Sequence, residues 1–83
     1  MINVLFFASL REQLKLANMQ ISSDNIATVA DVKQHLIGQG EPFYSAIHDK
    51  RLLAAINEVM CHNDDSLVND GDTLALFPPV TGG

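Results

Sequence analysis

"TVADVKQHLI", residues 28–37, carries the pattern on which the architecture of this chain turns. Val29, Val32, Leu36 and Ile37 stand at i, i+3, i+7 and i+8, a spacing that places all four on one face of a helix. Thr28 precedes Asp31 by three residues, a capping-box-like start with Asp in place of Glu. Gly38 and Gly40 end the helix, and Pro42 prevents it from resuming. One amphipathic helix cannot be the core of a bundle. It can cover one face of a mixed sheet, so the expected fold is an α+β roll.

The flanking segments must then supply the sheet. Ile2 to Ala8 is rich in β-formers and barely alternates, which predicts a strand buried on both faces. Ser9 is the expected cap of a short helix through Leu10, Arg11, Leu14 and Leu16. Asn18 to Ser22 reads as a second strand with Met19 and Ile21 on one face. Beyond the main helix, Phe43 to Ile47 predicts a further helical turn, and Leu52 to Met60 a third strand. The polar run His62-Asn63-Asp64-Asp65 breaks that strand, and Asn69-Asp70-Gly71-Asp72 is a strong turn signal. Thr73 to Phe77 is the last strand, with Leu74 and Leu76 on one face and Ala75 and Phe77 on the other. Pro78 and Pro79 lack backbone donors and end its ladder. Residues 1–79 thus form one domain, and residues 80–83 a flexible tail.

Composition narrows the function classes. At 47% hydrophobic and 18% charged residues, the chain has the balance of a folded protein. Its net charge of −5 argues against a nucleic-acid partner, whose affinity rests on cationic side chains meeting phosphates. The charge fits a partner with a basic surface. The single cysteine, Cys61, excludes an internal disulfide. The apolar run from Val4 to Ala8 is too short for a signal-peptide core and follows no basic leader. No stretch approaches the length of a membrane span, so a cytoplasmic location with no membrane partner is expected.

No catalytic constellation is present in the sequence. His35, His48 and His62 lack the close pairings of a metal site, and adjacent residues such as Cys61 and His62 point to opposite faces of a strand. Asp64-Asp65 has the wrong spacing for a calcium loop. Two features stand out instead. Phe77 is a large aromatic on the strand face opposite Leu74 and Leu76; it is either a partner contact or a core residue of a strand slightly out of register. The second feature is the ending PPVTGG. Pro78 and Pro79 stiffen the exit from the strand in an extended form. Gly82 and Gly83 lack a Cβ, so the tail can thread a narrow channel, and a terminal glycine leaves its carboxyl open to attack.

"DGDTLALFPPVTGG" (70–83) closely resembles the C-terminus of the small, sulfur-carrying subunits of molybdopterin synthase. "INVLFFASLRE" (2–12) is similar to that family's first strand and following helix, and "LLAAIN" (52–57) to its central strand. The loose helix end "LIGQGEPF" (36–43) is a small departure. The resemblance implies the ubiquitin-like β-grasp fold. It also implies chemistry at Gly83, whose carboxylate would be adenylated with ATP by an adenylyltransferase related to ubiquitin-activating enzymes. A persulfide donor would then convert it to a thiocarboxylate. The large subunit of molybdopterin synthase would take the sulfur for a cyclic pyranopterin phosphate, and two carriers would cap a dimeric large subunit as a heterotetramer. No bound cofactor or metal is implied. Thr81 and Gly82 would thread the partner's channel. Phe7, Met60, Phe77, Pro78, Pro79 and Val80 would form the apolar grip, and Arg11 is either a polar contact or part of a solvated helix face. Carriers serving thiamine synthesis or tRNA thiolation share the GG ending but not the FPP stretch. A ubiquitin-like modifier, forming isopeptide bonds to lysines, is the alternative from another class.

Overall fold

A computed structural model describes residues 1–48 and 50–79. Five strands form one sheet in the order β2-β1-β5-β3-β4, with β1 at Ile2–Phe6, β2 at Asn18–Ile21, β3 at Leu53–Ile56, β4 at Val59–Met60 and β5 at Thr73–Phe77. β1 and β5 run parallel and every other pair is antiparallel. The helices are α1 at Ala8–Leu14, α2 at Val29–Ile37 and α3 at Phe43–Ile47. The mixed α+β sheet with one main helix is the expected architecture.

The helix expected after Thr28 forms, with Thr28 as its cap. The Thr28 Oγ1 accepts from the Asp31 N–H at 3.3 Å, and the Asp31 carboxylate accepts from the N–H groups of Thr28 and Ala27. Val29, Val32 and Leu36 are fully buried. They pack in one cluster with Ile2, Val4 and Phe6 of β1 and with Leu74 and Leu76 of β5. Gly38 itself stays right-handed, and the chain turns left-handed only at Gly40, with φ at 87°. Thr28→Ala is expected to cost about 1 kcal/mol, the usual worth of an N-cap, and denaturant titration measures it.

Three local expectations are corrected. β1 is not buried on both faces: Ile2, Val4 and Phe6 are buried, whereas Asn3 and Leu5 are only partly so. The helices cover one side of the sheet and leave Leu5 on the other, and an apolar residue there removes the alternation that would have signalled it. Ser9 does not cap α1; the helix begins at Ala8, Phe7 is the cap residue, and no side chain bonds the first turn. Leu52 to Met60 is not one strand. Asn57 and Glu58, at φ of 49° and 72°, fold it into the β3–β4 hairpin. Both central residues of this two-residue turn are left-handed, which Asn tolerates and Glu rarely supplies, so the usual Asn-Gly signal was missing.

The predicted turn at residues 69–72 is present and tied to that hairpin. The Asp72 carboxylate accepts from the Asn69 N–H at 2.8 Å and from the Asn57 side-chain amide at 3.0 Å, while Asn57 Oδ1 accepts from the Thr73 N–H. The Asn69 N–H, aided by Asn57, holds the Asp72 carboxyl below the ordinary value of 3.8. The Ala27 and Thr28 N–H groups do the same for Asp31. A carboxyl with a lower pKa folded than unfolded stabilises above its unfolded value, and that contribution is lost as pH falls through the folded one. The melting temperature should therefore drop on acidification below about pH 4. A double Asp31→Asn, Asp72→Asn variant should melt lower at neutral pH and show a flatter acid limb; a limb as steep as the parent's would place the acid sensitivity elsewhere.

Candidate functional site

Strand register assembles an apolar face on the side of the sheet away from α2. Leu5 pairs with Ala75, Ala75 with Ala55, and Ala55 with Met60, so one row crosses four strands. Three strand spacings separate its ends, roughly 14 Å. The next row toward the tail pairs Phe77 with Leu53. Phe7, one residue past β1, still donates its N–H to the Leu76 carbonyl, at 3.2 Å, and extends this row. Phe7 is 45% exposed and Met60 52% exposed. Phe77 is half-buried and lies outside the cluster beneath α2, so it is not a core residue of a displaced strand.

Small side chains at the centre of this face make it concave. Ala55 and Ala75 floor a depression of about 430 Å³, walled by Leu5 and Phe7 and edged by Asn57, Glu58 and Thr73. Glu58 is the one titratable side chain in that lining. Its lining holds no Cys, Ser, Lys or His and no acid–base pair, and is mostly apolar.

The structure thus brings Phe7, Met60 and Phe77, which the resemblance implies for an apolar grip, onto one face. It adds Leu5, Leu53, Ala55 and Ala75, which were missed. Their strand alternation was the available signal, but the side of the sheet each occupies depends on partners far away in sequence. Arg11 lies apart from this face, exposed on α1, and pairs with no carboxylate among the described residues. Pro78 and Pro79 stand just past β5 and wall a second hollow of about 320 Å³, together with Leu10, Ala46 and Leu52. Val80, Thr81, Gly82 and Gly83 lie outside the described residues. Among the described residues, no group of three or more His, Cys, Asp and Glu side chains is placed to hold a metal ion, and no helix is long and apolar enough to cross a membrane. Cys61 is a half-buried free thiol on the edge of a third hollow, apart from the apolar face.

A five-stranded mixed sheet with parallel β1 and β5 in its interior, one main helix packed across it, and a tail leaving the end of β5 defines the β-grasp class. The comparisons narrow the class to a family. The model of the ThiS family matches residues 4–83, and the chain belongs to that family. It is 42% identical over 83 residues to the molybdopterin synthase sulfur carrier subunit of Escherichia coli (strain K12), covering 100% of both chains. Among solved structures it resembles SAMP1 from Haloferax volcanii, at 28% identity and a TM-score of 0.75 over 99% of this chain and 98% of that one. A chain from the complex of subunits 1 and 2 of the molybdopterin-converting factor of Helicobacter pylori 26695 shares the fold, with a TM-score of 0.66, 24% identity, and coverage of 99% and 97%.

Proposed function

We propose that this chain is a sulfur carrier in molybdenum-cofactor biosynthesis, the small subunit of a molybdopterin synthase. The observation that carries the reading is the 42% identity to the Escherichia coli carrier over the whole of both chains. The exposed apolar face beside the origin of the tail supports it, since a carrier must be gripped by each protein that receives its tail.

The chemistry belongs to Gly83. A carboxylate is a poor acyl donor because oxide is a poor leaving group. Attack of the carboxylate on the α-phosphorus of ATP, in an adenylyltransferase, releases pyrophosphate and leaves an acyl-adenylate. A persulfide sulfur then displaces AMP to give an acyl disulfide, and a second thiol attacks the donor's sulfur in that disulfide, forming a new disulfide and releasing the thiocarboxylate on Gly83. In the large subunit the thiocarboxylate sulfur forms a C–S bond to the pyranopterin as a C–O bond of the cyclic phosphate opens and the phosphate oxygen leaves. Water then hydrolyses the resulting thioester, leaving sulfur on the pterin and a carboxylate on Gly83. Tethering replaces the capture of a free sulfur species by a reaction at high local concentration. Phe7, Met60 and Phe77, with Leu5 and Ala75 between them, supply the apolar grip; Pro78, Pro79 and Val80 direct the tail, Thr81 and Gly82 thread the channel, and Arg11 adds a polar contact.

Intact-mass measurement of the protein isolated from cells tests this directly. Replacing one carboxyl oxygen by sulfur adds about 16 mass units, and the added mass should require the activating enzyme and ATP. A second reading, a protein modifier, draws on the likeness to the small archaeal modifier protein 1 of Haloferax volcanii. Incubation with ATP and cell extract separates the two, because a modifier forms a ladder of larger conjugates and a carrier does not.

A further inference from the structure

Three of the five Lys and Arg residues of this acidic chain, Lys33, Lys50 and Arg51, line one hollow of about 360 Å³. They are not equivalent. Lys33 is only 12% exposed, donates to the Leu52 carbonyl at 3.2 Å, and is bound to the Asp64 carboxylate at 2.9 Å, so its charge is already matched. Lys50 and Arg51 are exposed, and among the described residues neither is paired with a carboxylate. Both also line the neighbouring hollow walled by Pro78 and Pro79. They immediately precede Leu52 and β3, whose Leu53 pairs with Phe77 at the end of β5. Two cations with no carboxylate partner among the described residues therefore stand beside Pro78 and Pro79, where the tail departs.

We propose that Lys50 and Arg51 are a docking pair for carboxylates on the rim of the large subunit's tail channel. The inference rests on the carrier reading above. The reacting carboxyl is not their target. Four residues follow Pro79, and a chain gains up to about 3.3 Å per residue, so Gly83 can lie roughly 13 Å beyond Pro79. What must face this pair while the tail is inserted is the surface around the channel mouth. Acidic side chains there would meet the two cations in hollows floored by Leu52 and Ala54 on one side and by Leu10 and Ala46 on the other, partly shielded from water. Such charges set orientation and association rate more than they add apolar contact, and they are sensitive to salt.

The test is calorimetric titration of the cognate large subunit with the parent chain, with Lys50→Glu/Arg51→Glu, and with the charge-retaining Arg51→Lys. Circular dichroism should show all three folded, since neither side chain is buried. At low salt the charge-reversed chain should bind on the order of tenfold or more weakly. The gap should close at about 0.5 M salt, where the screening length falls to a few ångströms. Arg51→Lys should bind like the parent. Equal affinities of parent and charge-reversed chains at low salt overturn the proposal, and so does a loss of the same size at every salt concentration, which marks a packing contact. Failure of the parent itself to bind would instead remove the carrier reading, and this inference with it.

Discussion

Deleting Gly83, or adding one residue after it, should abolish sulfur transfer while leaving the fold intact. Among the described residues the core runs from Ile2 of β1 to Leu76 of β5, and neither Pro78 nor Pro79 belongs to it. The chemistry depends on the tail completely. The reacting carbon must approach its attacker to within about 3–3.5 Å, and a misplacement of ~1 Å costs on the order of a hundredfold. One residue moves an extended chain by roughly 3.3 Å, well past that tolerance. Gly82→Val should act similarly, because a branched Cβ widens the chain and restricts its backbone angles. Each variant is to be checked for folding by circular dichroism, then assayed separately for thiocarboxylate formation and for pterin sulfuration. A folded Gly83 deletion that transfers sulfur at near the parent rate would falsify the carrier assignment.

Truncating the apolar face should separate binding from stability. Phe77 lies opposite Leu53 on the face away from α2 and contributes nothing to the fully buried cluster. Phe77→Ala should weaken binding to the large subunit by about 2 kcal/mol or more, as aromatic anchors at interfaces do. That corresponds to roughly thirtyfold in affinity. The fold should lose only about 1 kcal/mol, since the ring is half-covered in the free chain. Ala75→Arg probes the same face without removing any packing. It fills the floor of the depression between Leu5 and Phe7 with a charged side chain and should reduce binding at least as much. Titration of the partner and thermal melts of both variants measure the two effects. A strongly lowered melt of Phe77→Ala with unchanged affinity would make Phe77 a structural residue.

Much of this protein is written locally. The face of α2, its Thr28–Asp31 cap, the turn at residues 69–72 and the alternation of β5 all follow from neighbours within a few residues. Periodicity and hydrogen bonds of such short range act before any tertiary contact forms. The glycine-ended tail is legible for a similar reason, since its chemistry resides in the end group and not in a fold.

The assembly of the site is not local. That Leu5 lies beside Ala75, and Ala55 beside Met60, depends on which strands pair and in what register, and closure of the whole sheet sets both. The same closure determines that Leu5 faces outward although its type suits a core, and that Lys50 and Arg51 stand beside Pro78 and Pro79. The turn at Asn57–Glu58 belongs with these. Its left-handed backbone is held by Asn57 bonding to Asp72 and Thr73, fifteen and sixteen residues away in the chain. A short window of sequence contains the residues of the binding face but not their neighbours, because a sheet is held by contacts between segments that are distant along the chain.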